Sequence, residues 1–243
     1  MSRVIVTGCS GAIGQALCQT LHSSGYQVVG LDVTDESPNS EIIYERVDLS
    51  TAGSPAFDVA LNRLEELYGN DVFALINNAA VQVTGDFCTL GTEDFVRSIN
   101  TNLLAPILLA KTFIPSLEQA RGILINIETI HSRLTKPGFS AYSISKSGLS
   151  GLTRALSAEF GQKVRITGVA PAAISTEMLM DGFKGKEHLV RELSNCHPTG
   201  HIGSVADVAN VVSWLLANDV SFLHGAIIDL AGGIQHVLND PTN

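Results

Sequence analysis

The sequence lacks the features that mark several large classes of protein. Its 15 lysine and arginine residues form no run and its formal net charge is −9, so it offers no broad positive field to nucleic acid or an anionic membrane. It contains no stretch of about 20 apolar residues, the length that a membrane-spanning helix requires, and its N-terminus lacks the pattern of a signal peptide. We therefore expect a cytoplasmic protein whose partners include neither nucleic acid nor a membrane.

Cysteine is scarce, and its spacing excludes two further classes. The four cysteines form no CxxC pair, which argues against a disulfide scaffold or a zinc knuckle and favours reduced thiols. Cys196, His197 and His201 are candidate metal ligands that lie close together in the sequence. Pro198 and Gly200 stand between them and preclude the regular spacing of ligands on a helix, so we expect no metal site.

The sequence does contain an alternation of strand-like and helix-like segments. Short apolar runs, rich in β-branched residues, occur at 3–7, 27–31, 42–47, 72–76, 123–127, 164–169 and 226–230. Segments with apolar residues at helical spacing lie between them, at 11–21, 55–68, 93–117, 142–160 and 205–216. The alternation predicts an α/β fold in which about seven parallel strands form one three-layer, doubly wound sheet of the Rossmann type, with helices on both faces.

Local signals predict where several helices begin or bend. Ser204 and Asp207 have the spacing of a capping box, which predicts the start of the helix at 205. Ser140 is the expected cap of the helix that contains residues 142–160. Pro106 is expected to kink the long helical segment in which it lies, because proline has no N–H to donate.

We expect a single domain over residues 1–243, because no linker, internal repeat or low-complexity tract divides the chain. Residues 175–203 are the exception to the regular alternation, since several glycines and a proline interrupt them. They are expected to form an irregular loop. A loop of this length in a compact domain is usually functional, and here it is expected to act as a substrate lid.

A glycine-rich turn follows the first strand and opens the first helix, with the sequence Thr7-Gly8-Cys9-Ser10-Gly11-Ala12-Ile13-Gly14. Glycines let the backbone approach a pyrophosphate at the helix N-terminus, which indicates dinucleotide binding. Asp32 ends the second strand, where its carboxylate can bind the adenine ribose hydroxyls and repel a 2′-phosphate. The pattern therefore favours NAD over NADP. No lysine follows the glycines, which excludes the phosphate loop of a triphosphatase.

Tyr142 and Lys146 stand one helical turn apart and share a helix face. An ammonium near a phenol favours the phenolate and lowers its pKa from about 10, so Tyr142 is a candidate general base or acid. Ser143 and Lys146 also spell the Ser-x-x-Lys motif of acylating enzymes. We set that interpretation aside, because the partner motifs Ser-Asp-Asn and Lys-Thr-Gly are absent.

Taken together, these motifs resemble those of the compact short-chain dehydrogenases/reductases. The order and spacing of that family occur in Thr7-Gly8…Gly14, Asn77-Asn78-Ala79, Tyr142-x-x-x-Lys146 and Pro171…Ile174-x-Thr176, and the resemblance covers essentially the whole chain. It implies that Tyr142 exchanges a proton with the substrate and that Lys146 holds the nicotinamide ribose. Thr129, 13 residues before the tyrosine, stands where the family has serine, and Asn102 would hold a water of the proton relay.

The resemblance also implies a set of cofactor-binding residues. In chain order these are Gly8, Ser10, Gly11, Ile13, Gly14, Asp32, Asp48, Leu49, Asn78, Ala79, Ala80, Tyr142, Lys146, Pro171, Ile174 and Thr176. Ala12, Ala80 and Ala172 stand where the family has glycine, and each added methyl group requires a negative φ and more room. Expected substrate contacts are His131, Val81 and Met178.

The function expected from these residues is an NAD(H)-dependent oxidoreductase that interconverts a secondary alcohol and a ketone. One alternative is a sugar-type epimerase or dehydratase, suggested by the Gly8…Gly11…Gly14 spacing. A second is a catalytically silent NAD-binding regulator. The helical segment 103–110 is apolar nearly all round, which indicates that it is covered on more than one face, and a subunit contact is one explanation. The family's usual assemblies agree, so we expect a homodimer or homotetramer.

Overall fold

The structure, a computed structural model, describes residues 2–237, apart from the side chains of Met178 and Glu187. The strands are β1 Arg3–Thr7, β2 Gln27–Asp32, β3 Ile43–Arg46, β4 Val72–Asn77, β5 Ile123–Ile127, β6 Arg165–Pro171 and β7 Ile227–Leu230. They form one parallel sheet in the order β3-β2-β1-β4-β5-β6-β7. This sheet confirms the predicted seven-stranded, doubly wound α/β fold.

The helices lie in two layers. They are α1 Ala12–Ser23, α2 Pro55–Tyr68, α3 Thr92–Ile99, α4 Ala105–Ala120, α5 Ser140–Phe160, α6 Glu177–Asp181, α7 Glu187–Asn195 and α8 Val205–Ala217. Helices α2, α4 and α5 pack on one face of the sheet, and α1 and α8 pack on the other. Within residues 2–237, no helix combines the length and the apolar character that a membrane crossing demands.

Strand β1 illustrates why the strands have continuous apolar sequences. Val4 and Val6 belong to the core cluster beneath α1 and α8, whereas Ile5 belongs to the cluster beneath α2 and α4. All three are fully buried. Successive side chains point to opposite faces, so a strand covered on both sides must be apolar throughout. Each such side chain contributes about 1.5–3 kcal/mol through burial.

The strand order reverses at β1, and this reversal positions the site. From β1 the chain continues to β2 and β3 on one side, then returns to β4 on the other side. The connections that leave the carboxyl ends of β1 and β4 therefore separate and leave a crevice between them. In open α/β sheets such a crevice is the usual place for a ligand.

The start of α5 differs from the prediction. The helix begins at Ser140 itself, Phe139 occupies the capping position without a side-chain hydrogen bond, and the Ser140 hydroxyl is buried with no partner among the described residues. The Phe139 ring stacks on His131 with centroids 4.7 Å apart. The expected Ser140 cap is therefore wrong, and an aromatic contact fixes this end of the helix. The capping box of Ser204 and Asp207 is confirmed.

The long segment around Pro106 is interrupted, as its proline predicts. Helix α3 passes into a π-helical turn, Asn100–Leu104, before α4 begins at Ala105. Pro106 lies in the first turn of α4, where a missing N–H is tolerated. Because residue 106 cannot donate, the carbonyl oxygen of Asn102 loses the partner that an uninterrupted α-helix would supply.

Residues 175–203 are more regular than expected, because they contain the two helices α6 and α7. Thr176 caps α6 by accepting a hydrogen bond from the backbone N–H of Leu179. A parallel β-bridge between Ile174 and Gly203 joins the two ends of this segment. The predicted irregular loop is thus wrong. Its glycines lie between and after the helices, where they end helical segments without preventing them.

Candidate active site

The turn after β1 leaves the N-terminus of α1 open to an anion. A Cβ at Gly14 would clash with the carbonyl oxygen of Gly8, and one at Gly8 would lie 2.7 Å from the Cα of Ala79. Gly11 precedes α1 without a side-chain cap, and the first turn carries no acidic residue. The backbone N–H groups at this helix end therefore lack a local acceptor, which is the arrangement that binds a phosphate.

The three alanines that replace family glycines fit without strain. Among the non-glycine residues that the structure describes, only Arg121 has a positive φ. Ala12, Ala80 and Ala172 therefore keep the negative φ that a methyl group requires. Ala12 begins α1 and Ala172 follows β6. The departures from the family pattern leave the backbone of the crevice intact.

Asp32 lies at the carboxyl end of β2, facing the glycine-rich turn. One carboxylate oxygen accepts a hydrogen bond from the backbone N–H of Ser10 at 2.8 Å, and the other accepts from Val33 at 2.7 Å. The Ser10 hydroxyl lies 2.9 Å from that of Thr34. Asp32 therefore holds the turn in place while one side of its carboxylate stays available for a ligand hydroxyl.

Sequence reasoning missed Arg46, which the sheet places beside Asp32. The two residues are paired across β2 and β3. The Arg46 Nε donates to the carbonyl of Val33 at 3.1 Å, and its guanidinium pairs with Asp35 at 3.4 Å. With Val33 and Asp48, Arg46 lines a cleft of about 290 Å³. No local sequence pattern signals this positive charge, because it arises from strand pairing.

Thr7 fastens the β1 turn to the β4 turn. Its buried hydroxyl accepts hydrogen bonds from the backbone N–H groups of Asn78 at 3.0 Å and Ala79 at 2.9 Å. In return, the Asn78 amide donates to the carbonyl oxygens of Thr7 at 2.9 Å and Gly8 at 3.2 Å. Asn78 and Ala79 therefore shape the crevice through the backbone. Thr7 is a positioning residue that the predicted site set omitted.

Thr129, Tyr142 and Lys146 come together at the carboxyl end of β5. Thr129 follows that strand, and its side chain acts to lower the pKa of the Tyr142 phenol. The Lys146 ammonium donates to the carbonyl of Ile127 at 2.8 Å. Two serines of α5 fix the intervening turn: Ser143 donates to the carbonyl of His131, and Ser147 donates to that of Ser132. The structure therefore places Thr129 and the Lys146 ammonium at the end of β5, with Tyr142 one helical turn before Lys146 on α5.

Burial decides the protonation of this trio. It raises the pKa of Tyr142 to about 12, although the hydrogen bond from Thr129 opposes the shift. Burial also lowers the pKa of Lys146 to about 8, opposed by the negative charge of Glu128. The expected lowering of the Tyr142 pKa by Lys146 is therefore wrong. The ammonium is directed to the Ile127 carbonyl, and the cost of burying a phenolate is larger.

Asn102 uses its side chain to hold a loop. Its amide oxygen accepts from the backbone N–H of Val81 at 2.8 Å, and its amide nitrogen donates to the Val81 carbonyl at 2.9 Å and to the Ser145 hydroxyl at 3.0 Å. Ser145 also donates to the carbonyl of Tyr142. The fully buried serines Ser98 and Ser145 thus link the π-helical turn to α5. Neither serine was predicted, since serine within a helix gives no functional signal.

The remaining predicted residues surround this trio or line the crevice. Asp48 caps a 3-10 turn and accepts from Ser50, and Leu49 beside it is buried. Ile13 packs against the α1–α8 side of the core, and Pro171 ends β6. His131 contacts Tyr142 edge to face, with ring centroids 6.1 Å apart. The predicted substrate contact Met178 has its side chain outside the described part of the structure.

The metal candidates lie apart from this site. The buried His197 ring contacts the carbonyl of Leu193 through Nδ1 at 2.8 Å. Cys196 and Pro198 line a separate cleft of about 430 Å³ that contains none of the predicted site residues. Within the described residues, no group of three or more histidine, cysteine, aspartate or glutamate side chains could hold a metal ion.

Comparisons with known proteins cover nearly the whole chain. A family model described as enoyl-(acyl carrier protein) reductase matches residues 8–235. Human 3-oxoacyl-[acyl-carrier-protein] reductase is 30% identical over 240 residues, which span 96% of this chain and 98% of the relative.

Two solved structures show the same fold at lower sequence identity. The ligand-free aldohexose dehydrogenase of Thermoplasma acidophilum has a TM-score of 0.90 at 24% identity, covering 100% of this chain and 97% of its own. A structure of ElxO with NADP bound has a TM-score of 0.85 at 24% identity, covering 97% of this chain and 99% of its own.

Proposed function

The chain belongs to the family of short-chain dehydrogenases/reductases, and from that membership we propose that it is an NAD(H)-dependent oxidoreductase that interconverts a secondary alcohol and a ketone. The observation that carries the proposal is the placement of Thr129, Tyr142 and Lys146 at the end of β5, on the same carboxyl edge of the sheet as the open N-terminus of α1. A phenol, a hydroxyl and an ammonium at one strand end provide a proton donor, an orienting group and a positive charge.

The residues present fit a nicotinamide cofactor. The uncapped end of α1 suits its pyrophosphate, and Gly8 and Gly14 allow the backbone of the turn to pack closely enough to form this end. When bound, the cofactor accepts or supplies the hydride. In the oxidative direction Tyr142 takes the proton from the substrate hydroxyl, while Thr129 holds the same oxygen as its charge changes.

The positive charge of Lys146 makes this proton transfer feasible. Taking a proton requires the Tyr142 phenolate, which burial disfavours. A cation in the same low-dielectric surroundings interacts more strongly with that phenolate than it would in water. Lys146 carries its charge below a pKa of about 8, so the oxidative reaction uses a charged lysine near neutral pH.

Asn102 supports the site through two different atoms. Its amide oxygen and nitrogen both bind the backbone of Val81. Its main-chain carbonyl oxygen, to which Pro106 cannot donate, is the atom that we assign to the water of the proton relay. The water-holding role expected of Asn102 is thereby assigned to its backbone.

The cofactor preference proposed is NAD. Asp32 presents a carboxylate at the end of β2, where it would repel a 2′-phosphate. The positive charge of Arg46 would attract a 2′-phosphate, but its guanidinium is exposed and paired with Asp35. ElxO was solved with NADP bound, and the preference of this chain depends on how these two charges balance.

The direct experiment incubates the protein with NAD and a panel of secondary alcohols while NADH fluorescence is recorded. We expect NADH to appear with at least one alcohol, and the reverse reaction to consume NADH with the matching ketone. Cofactor binding with no turnover on any member of a broad panel would instead support a silent regulator. Inversion of a sugar carbon without net NADH formation would support an epimerase.

We also propose that the chain forms a homodimer or homotetramer. Ile107 on α4 and Ile144 on α5 are large apolar side chains that remain exposed. Burial of such residues between subunits would remove apolar surface from water. Light scattering after size exclusion tests the proposal, and a monomeric mass at micromolar concentration would overturn it.

A further inference from the structure

Glu128 is a buried carboxyl group that the proposed reaction leaves unused. It follows β5 directly and is only 3% exposed. The neighbouring strand makes room for it, because a Cβ at Gly168 would clash with the Glu128 Oε1. A carboxyl group this deep is costly unless hydrogen bonds or a positive charge compensate it.

A directional chain of hydrogen bonds ends on this carboxyl group. The Thr153 hydroxyl donates to Oε1 at 2.7 Å, and the Ser150 hydroxyl donates to Oε2. Behind Thr153, the Asn126 amide donates to the Thr153 hydroxyl at 2.9 Å, and Asn77 donates to Asn126 at 2.9 Å. Every donor in this chain points towards Glu128. Hydrogen bonds aligned in this way favour the ionised carboxylate.

The carboxylate lies on the same face of α5 as Lys146. Lys146, Ser150 and Thr153 are spaced by four and three residues, so they form one stripe along the helix. The last two bind Glu128, which places the carboxylate beside the stripe that carries the ammonium. Lys146 is 1% exposed, and the negative charge of Glu128 opposes the lowering of its pKa by burial.

Other charges near α5 are engaged elsewhere. Arg97 of α3 pairs with Asp94, and Arg165 of β6 donates to carbonyl oxygens and faces Asp219. The remaining titratable groups on α5 and the elements packed against it are Glu93, His131, Tyr142, Arg154 and Glu159. Of these, Arg154 lowers the pKa of Glu128, and the Arg154 side chain is exposed.

We propose that Glu128 is a positioning residue whose buried negative charge keeps Lys146 cationic, and that the network of Ser150, Thr153, Asn126 and Asn77 keeps Glu128 ionised for this purpose. The catalytic consequence rests on the proposed function. Without Glu128 the buried ammonium would keep its hydrogen bond to the Ile127 carbonyl but lose the opposing negative charge, and it would lose its proton near neutral pH. Tyr142 would then lack the cation that its phenolate requires.

Lysine NMR tests the charge coupling without any substrate. The chain has six lysines, so Cε-labelled lysine gives a simple spectrum, and Lys146→Met identifies the resonance. We expect Glu128→Gln to lower the Lys146 pKa by about one unit or more. Glu159→Gln makes the same charge change at an exposed position of the same helix and should leave that pKa unchanged. An unaltered Lys146 pKa in Glu128→Gln would overturn the proposal.

The wild-type protein provides a second test if Glu128→Gln does not fold. As pH falls, protonation of Glu128 should appear as a second inflection in the Lys146 resonance, above the ordinary range for glutamate, because burial raises the Glu128 pKa. Ser150→Ala removes one donor to the carboxylate and should move this inflection to higher pH. A Lys146 resonance without the second inflection contradicts the coupling.

Kinetics then separates this proposal from the proposed function. For alcohol oxidation, the alkaline limb of kcat should move to lower pH in Glu128→Gln by the same amount as the Lys146 pKa, with Glu159→Gln as the control. Glu128→Asp, which keeps the charge, should restore the limb at least in part. A lowered Lys146 pKa with an unmoved limb would refute the catalytic role. A wild-type protein without turnover would refute the proposed function and leave the NMR result standing.

Discussion

The hydroxyl of Thr7 offers a sharp test of how the crevice is held open. Thr7→Val keeps the β-branched shape and nearly the same volume, but it removes the oxygen that accepts from the backbone of Asn78 and Ala79. The Ala79 N–H then loses its acceptor close to the core, whereas the Asn78 N–H keeps the carbonyl oxygen of Ile76 at 3.1 Å. At about 1–3 kcal/mol for an unsatisfied donor, we expect the free energy of unfolding to fall by roughly 1–3 kcal/mol.

Urea unfolding monitored by circular dichroism measures this change. In a chain of this length, a loss of 1 kcal/mol lowers Tm by about 2–4 °C, so thermal unfolding should report a fall of roughly 2–12 °C. Thr135→Val is the matched control, since Thr135 is exposed and lies outside the sheet. If the two variants unfold at the same urea concentration, the clamp between the β1 and β4 turns contributes nothing.

Two further changes address the cofactor crevice. Gly14→Ala should abolish cofactor binding and lower stability, because its Cβ would clash with the Gly8 carbonyl. The control is Gly151→Ala in α5, whose Cβ meets no atom within 4 Å and should stabilise the helix by up to about 1 kcal/mol. Equal cofactor Kd values for the two variants would contradict the close approach at Gly14. Asp32→Asn should improve NADP binding relative to NAD at least tenfold, and adding Arg46→Gln should reverse part of that gain. Fluorescence titration measures the Kd of each cofactor. An unchanged ratio of the two Kd values would refute the idea that these two charges set the cofactor preference.

The sheet was predictable because its central strands are buried on both faces. Residues 72–76 of β4, for example, are apolar at successive positions, and this pattern is visible in the sequence alone. The shared helix face of Tyr142 and Lys146 was predictable from local sequence as well, since both residues lie on α5 and helix geometry alone brings positions four residues apart to one face. Local periodicity in the sequence was therefore enough to predict both the sheet and the shared helix face of Tyr142 and Lys146.

Features that depend on tertiary contacts were not predictable in this way. The pKa of Tyr142 depends on how much protein surrounds the phenol, and burial reversed the expected direction. Arg46 reaches the crevice through strand pairing, and Ser98 and Ser145 meet across two helices. The two helices of the segment 175–203 were not predicted, because glycines that lie outside them made the sequence look irregular. In each case the decisive neighbour is distant in sequence.

The most direct test of the central claim compares Tyr142→Phe with the wild-type protein on an alcohol that the wild type oxidises. The account predicts that NADH formation in a single turnover is lost, while NAD still binds with nearly the same Kd, because the phenol oxygen is the proton acceptor. Tyr26→Phe, on a ring that stacks against Phe73, is the control and should turn over normally. Unchanged turnover in Tyr142→Phe would contradict the account.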